Sequence, residues 1–483
     1  MKRIFIIAAL SFCALGAGIA QGEMQALRYS SYTPFGSARF AAQGAATAAL
    51  GGDMGAVFMN PAGLAFYRSS EISFSPSLYW VNTEASFMGS TTEEFQTKFN
   101  MGSLGLVKAR QLDKRRGIVG LAYSFGYNTL VNFNNRTLIS GNNTNSSLLD
   151  DFTWHANTYP DQLDPYYEQL AFDASLMPYD KEAGTYWHDM QIDGYGQSLN
   201  RLSEQYGYIG EYSMSGAMNV ANLLYVGATL GLHSLRFSED IVHTETDANN
   251  NVMDFKQFTF KEYNNTNGWG YTARFGLILR PVQVLRIGAS FQLPTIYHLS
   301  DQKSTRMSSQ FDSGSGINDQ NVNSPSGLYD YKLRTPFEFG AQASLLILKQ
   351  ASLSLAYTYK DYSSSRLSAS DYAFFDENGR IGSGFRAAHN LRAGAEVRLS
   401  PLYLRAGMQH LMSPFSDKAN NAEMWIFSGG LGVRGKRNYF DLSYSYGSSS
   451  EVYGMYAYEP GINEVANISL TKHILMCTLG FRF

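Results

Sequence analysis

The last nine residues, Leu475-Met476-Cys477-Thr478-Leu479-Gly480-Phe481-Arg482-Phe483, put an apolar side chain at every odd position and Thr, Gly and Arg at three of the four even ones. Successive side chains of a strand point to opposite faces, so this segment has one oily face and one mostly polar face. The same period recurs throughout the second half of the chain. Tyr271, Ala273, Phe275, Leu277 and Leu279 alternate with Thr272, Arg274, Gly276, Ile278 and Arg280. Leu285–Phe291, Phe337–Ile347, Leu391–Leu399, Leu402–Met408 and Phe440–Tyr446 repeat it. Such faces can meet across the dry centre of a sandwich or point outward to lipid, and the alternation alone does not choose.

The connections do choose. Strands are expected near 71–82, 101–110, 116–128, 207–220, 222–238, 268–281, 284–298, 333–348, 351–363, 386–399, 401–411, 424–435, 438–447 and 471–483, fourteen in all. Links of a few residues alternate strictly with long ones at 83–100, 129–206, 239–267, 299–332, 364–385, 412–423 and 448–470. Outer-membrane barrels have this asymmetry, with short turns on one side and long loops on the other, whereas a Greek-key sandwich gives no reason for it. Closure also removes the sheet edges that lipid could not hydrogen-bond. The expected fold is therefore all-β: a fourteen-stranded antiparallel transmembrane β-barrel over residues 71–483, whose largest loop spans 129–206.

The N-terminus agrees with export. Lys2 and Arg3 precede an apolar run from Ile4 to Leu15, and Gly18-Ile19-Ala20 offers small residues for cleavage, so residues 1–20 read as a signal peptide. Only Cys477 then remains, which rules out an intrachain disulfide. Charged residues make up just 16% of the chain and its net charge is −3. That balance argues against nucleic acid as a partner, because binding phosphates needs a basic field.

Residues 21–70 have a different character. Ala41 to Asp53 is strongly biased to tiny side chains; its alanines favour helix and Gly51 can stop it. Asn60-Pro61 then reads as a second start, with Asn as N-cap and Pro at the first position, where no N–H is required. Phe58, Leu64 and Phe66 give this turn something to bury, and Ala62 and Gly63 keep it slim. With an even strand count this segment starts on the periplasmic side of the bore, where it can fold inward as a small-residue-rich helical plug, or hatch. A helical lid on a globular protein, or simple packing inside the barrel, is the plainer alternative.

"GSARFAAQGAATAALGGDMGAVFMNPAGLAFY", Gly36 to Tyr67, resembles the N-terminal signature of the FadL/TodX family, outer-membrane transporters of long-chain fatty acids and aromatic hydrocarbons. Asn60-Pro61-Ala62 stands where that family carries its Asn-Pro-Ala motif. "GWGYTARFGLILRPVQVLRIGASFQLPT", Gly268 to Thr295, resembles its central hairpin. The resemblance implies a monomer in the outer membrane of a Gram-negative bacterium, passive uptake of a hydrophobic, fatty acid-like ligand, capture by the outer loops, and sideways release into outer-membrane lipid. It implies no cofactor, no metal and no catalytic residues.

Three features bear on that expectation. The 129–206 link carries Trp154, Phe172, Leu176 and Trp187, suited either to first capture of a greasy ligand or to a self-packed cap. The inward parity carries Arg274, Arg286, Arg392, Arg398 and Arg405 with Glu338, Glu396 and Asp441. These can form a charge ladder that braces a solvated lumen and tethers the plug, or one arginine can hold a carboxylate head group. Gly120 and Gly126 could permit a kink or a missing rung in the third strand.

Enzyme signatures are missing: there is no Gly-x-Ser-x-Gly elbow, His-Glu-x-x-His or phosphate loop. His410 falls on the lipid-facing parity near the outer rim, as an interfacial histidine would. Asp247-x-Asn249-x-Asn251 lacks the Gly and Glu of a calcium loop and reads as a polar loop. The competing functions are a general porin, for which a plug is useless, and a loop-mediated surface receptor or adhesin, including haem capture.

Overall fold

The computed structural model describes residues 20–483 apart from 33–34, 114–115, 144, 161, 349, 419 and 457–463. The expected leader, residues 1–20, lies outside the described residues except for Ala20. Fourteen antiparallel strands close into one barrel. They are β1 (Glu71–Phe87), β2 (Ser90–Gln111), β3 (Ile118–Asn132, resuming as Asn135–Asn143), β4 (Gln197–Val220), β5 (Leu224–Thr246), β6 (Phe255–Val282), β7 (Leu285–Gln292 and Ile296–Phe311), β8 (Gly327–Arg334 and Glu338–Ile347), β9 (Ala351–Asp361), β10 (Ala387–Leu399), β11 (Leu402–Leu411), β12 (Met424–Arg434), β13 (Asn438–Gly454) and β14 (Val465–Arg482). Pairing of β1 with β14, from Glu71 opposite Arg482 to Ser86 opposite Asn467, shuts the cylinder.

The parity read from the sequence is the parity of the wall. Leu475, Leu479 and Phe481 are exposed on the outside while Met476 and Thr478 are buried. Phe275, Leu277, Phe291, Phe339, Leu355 and Phe427 are exposed in the same way. Water would penalise an apolar belt of this extent, whereas acyl chains accept it. Aromatic rings mark the outer edge of the belt. Trp80 stacks on His473 at 5.2 Å, and His410 stacks on Trp425 at 4.2 Å while its Nε2 meets Glu423 at 2.6 Å.

The expected long links are shorter than the sequence suggested. Residues 83–100 form no loop: β1 and β2 run on to a two-residue turn at Met88-Gly89. The links near 239–267, 299–332 and 448–470 are likewise consumed largely by strand. Beyond the lipid both faces of a strand are wet, so Thr91, Thr92, Glu93 and Glu94 lose the apolar alternation while keeping their ladder. The remaining outer links carry α4 (Leu148–Thr158), α5 (Glu168–Asp173), α6 (Asp189–Asp193) and α7 (Phe375–Gly384). Asp247 accepts from the backbone N–H groups of Asn251 and Val252, at 3.0 and 2.7 Å, as part of a polar loop.

Ahead of β1 come α1 (Ala20–Ser30), α2 (Ala38–Ala42), α3 (Met54–Met59) and a 3₁₀ turn, Pro61–Phe66. The Ala-rich run is not the helix that its propensity favours. Helix ends at Ala42, and residues 43–50 are turns with Gly44 and Ala45 in the left-handed region. Close backbone contact with the barrel wall overrides propensity here.

Candidate functional site

Three side-chain caps shape the plug. The Ser37 hydroxyl accepts from Phe40 N–H and donates to Asp53 at 2.7 Å; Asp53 in turn accepts from Gly55 N–H at 2.9 Å. Asn60 Oδ1 accepts from Ala62 N–H at 3.1 Å, with Pro61 at the first position of the 3₁₀ turn. Each cap satisfies N–H groups that a short helical turn would otherwise leave bare. Gly63 accepts from Gly52 N–H at 3.0 Å, folding the turn back on the Gly51-Gly52 corner.

Asn60 also fastens the plug to the wall. Its Nδ2 points to Leu277 O (3.4 Å) on β6, Ala289 O (3.2 Å) on β7 and Gln342 Oε1 (3.0 Å) on β8. Phe58 and Leu64 are buried against Val107, Ala122, Ala217 and Ile278. The wall makes room with glycine. A Cβ at Gly276 would run into Asn60 Oδ1, and one at Gly227 would lie 2.5 Å from the Pro61 carbonyl carbon. Across the bore, Gly394 and Gly407 give way to Gln43 and Gly44, and Gly430 to Ala42. Gly126 gives way to Met54 instead of kinking its strand, whereas Gly120 does sit at a register shift. Glycines at inward parity on neighbouring strands make these seats, but in the sequence they do not differ from other strand glycines.

Most of the arginine–acid ladder is engaged. Glu396 receives Arg405 (2.8 Å), Arg398 (2.9 Å) and Arg39 of the plug (3.0 Å). Arg405 bridges on to Asp441 at 2.7 Å. Arg274 pairs with Glu211 at 3.3 Å and with Gln292 at 3.0 Å, while Arg392 donates to Gln409 and Thr358. Glu338 meets Lys360 at 3.6 Å. The ladder was expected to brace a solvated lumen; Arg274, Arg392 and Arg405 are instead buried, because the plug fills the bore beside them. Arg286 differs: it donates to Leu50 O and lies 4.1 Å over the Phe66 ring.

Above the plug the inward face turns apolar, which was not expected. Ile209, Leu235, Phe237, Tyr297, Leu299 and Leu333 are buried around Ala26, Leu27 and Tyr29 of α1. Thus α1 stands in a greasy chamber of the lumen, tied to the outer side by Glu23–Arg380 at 2.5 Å and Arg28–Glu239 at 3.7 Å. A polar layer of Glu211, His233, Arg274 and Gln292 separates this chamber from the plug. Alternating apolar residues cannot reveal which layers inside a barrel are dry, because the inward set here mixes both kinds.

Helices α4–α6 form a cap over the bore. Leu149, Phe152, Leu170, Leu176, Met177 and Met190 pack on Phe255, Phe258 and Phe260 of β6. Buried Glu245 fixes the cap by accepting from Ser147 Oγ (2.6 Å), Leu148 N (2.9 Å) and Tyr456 Oη (3.0 Å). Burial pushes the Asp150 carboxyl up, but contacts from His188 and Tyr195 and the Ser147 N–H outweigh it and hold the group below its ordinary range. Of the four expected capture residues, Leu176 belongs to this core; Trp154 and Trp187 are half-buried, and Phe172 is exposed.

On the barrel wall, pairing of β2 with β3 stops at Ser103 opposite Asn128, although β2 continues outward to Ser90. The plug meets the end of this seam: Gly36 N–H donates to Asn128 Oδ1 at 2.9 Å, and Ser103 Oγ donates to Gly36 O at 2.7 Å.

No family model and no curated protein matches the sequence. Solved structures match along nearly its whole length. A FadL homologue from Pseudomonas aeruginosa is 10% identical, with 94% of this chain and 99% of that chain covered and a TM-score of 0.53. The toluene transporter TodX from Pseudomonas putida is 11% identical, with 92% and 98% covered and a TM-score of 0.50. Identities this low speak for architecture, and on that ground the chain has a FadL/TodX-like fold.

Proposed function

We propose that this protein resides in the outer membrane of a Gram-negative bacterium and takes up hydrophobic small molecules, long-chain fatty acids or similar lipids and aromatics, without catalysing a reaction. The apolar chamber around α1 carries the reading. Water gains nothing from such a lining, whereas a greasy solute loses little on leaving lipid for it. The names of the structural neighbours, a FadL homologue and a toluene transporter, support the same class of cargo.

In this reading the cap surface, including Phe172, Trp154 and Trp187, meets the ligand first. The ligand then takes the place of α1 in the chamber. Release is sideways into lipid at the β2–β3 seam, where Leu130 of the chamber wall stands beside the unpaired stretch. The Asn60-Pro61-Ala62 turn holds the plug so that no aqueous route opens below. The protein acts as a monomer.

The purified protein in liposomes tests this. Wild type should speed entry of a long-chain fatty acid or toluene at least severalfold over empty vesicles. Asn60→Ala combined with Pro61→Gly should reduce that gain while the barrel stays folded by its heat-dependent gel mobility. Uptake unaffected by removal of 24–67 would overturn the mechanism. Large steady ohmic steps from the intact protein would make it a porin.

A further inference from the structure

At the periplasmic mouth, the joint between plug and wall opens into a cavity of about 280 Å³. Five arginines line it: Arg39 and Arg68 from the plug side, and Arg280, Arg286 and Arg398 from the wall. No Asp or Glu is among its lining residues. A chain of net charge −3 does not gather five guanidinium groups by composition alone. Arg39 and Arg398 both lean on Glu396, which also serves Arg405. Among the described residues, Arg68, Arg280 and Arg286 make no ion pair within 4.0 Å.

Arg286 is built in rather than loose. Its guanidinium lies 4.1 Å over Phe66, which stacks on Tyr225 at 3.9 Å and 17°. One arm donates to Leu50 O, while its buried Nε has no hydrogen-bond partner among the described residues. Stacking fixes the plane of the fork, and a fixed fork presents parallel N–H groups to an oxyanion. Gathering like charges with too few carboxylates is costly, and an anion seated between them offsets that cost. The cavity suits a head group better than a chain: eight of its lining residues are Arg, Asn or Gln, and of its apolar members, Leu50, Ala65, Phe66, Leu346 and the Tyr225 ring, Phe66 is covered by Arg286.

We propose that this vestibule binds an oxyanion, phosphate or carboxylate, which bridges plug arginines to wall arginines and staples the plug from the periplasmic side. The inference stands apart from the transported cargo, because the site lies below the plug and its test measures binding without transport.

The full-length barrel in a nonionic, phosphate-free micelle is titrated calorimetrically with inorganic phosphate and, separately, with octanoate. Saturable binding of either supports the site; phosphate alone assigns a free phosphate, and octanoate alone assigns the head group of a fatty ligand. Arg280→Gln with Arg286→Gln should weaken binding at least tenfold. Lys436→Gln with Arg437→Gln, the same charge change at another periplasmic turn, should leave it within twofold. If the first pair fails to fold, Arg68→Gln, at an exposed position, should weaken binding at least threefold. The bound anion should also slow amide exchange across residues 48–66. No saturable binding of either anion, equal loss in both variant pairs, no loss in Arg68→Gln where that variant is used, or unchanged exchange overturns the proposal.

Discussion

The plug and the cap both close the bore, and they do so with opposite materials. The plug is made of Ala, Gly and capped turns, pressed so closely on glycines of β5–β7 and β10–β12 that backbone meets backbone. The cap is made of Leu, Met and Phe packed on the extended ends of β6 and β7. Close-packed backbone with hydrogen bonds to three strands has one fit and no tolerance. Large flexible side chains, methionine among them, repack around what they touch. The difference fits a fixed stopper below and an adaptable entrance above.

Substitutions can break that contrast, and the largest effect is expected at the plug seat. Gly276→Leu places a side chain where Asn60 now sits, so the plug should lose its berth while the outward face of β6 is untouched. Overpacking of this kind costs about 1–3 kcal/mol or more. The expected readout is a jump in single-channel conductance and protease cleavage within 36–67. A quiet channel would show that the plug is not held by this contact.

Phe152→Ala is the matching change in the cap. Removing a buried phenyl ring costs about 3–5 kcal/mol locally. The surroundings can collapse, so loop cleavage in 144–196 should rise while conductance stays near that of wild type. Equal opening of the channel by both variants would erase the distinction between stopper and entrance.

The smallest effect concerns pH. Burial, aided by the nearby Asp164 and Asp151 charges, raises the Glu168 carboxyl to about 7, despite backbone N–H groups of Glu168 and Asp164 that pull it down. A carboxyl raised in the folded state stabilises the cap fully below its ordinary value of 4.5, and this contribution is lost as pH rises toward 7. Loop protection in 144–196 should therefore be greater at pH 5 than at pH 8, and Glu168→Gln should flatten the difference. A pH dependence that survives the substitution would point to another group.

Much of this was legible in order. The period of two, read at Leu475–Phe483 and six other segments, identifies the outward face because lipid imposes one rule on every strand it touches. Asn60-Pro61 was legible as a cap because capping is local. The seats were harder to read. Gly227, Gly276, Gly394 and Gly407 look like ordinary strand glycines until the segment they accommodate is brought against them. Likewise, nothing local marks 83–100 as strand, since its pairing partner rather than its polarity keeps it extended.

The sequence by itself determined that the chain closes a barrel with an oily exterior and a slender N-terminal segment, because side-chain alternation and turn chemistry act between near neighbours. Tertiary structure alone decided what occupies the bore: which layers are dry, that α1 stands in the greasy one, that Leu176 packs inward, and that five arginines meet beneath the plug. Those outcomes bring together residues hundreds of positions apart, and their energies depend on distances that exist only once the cylinder is closed.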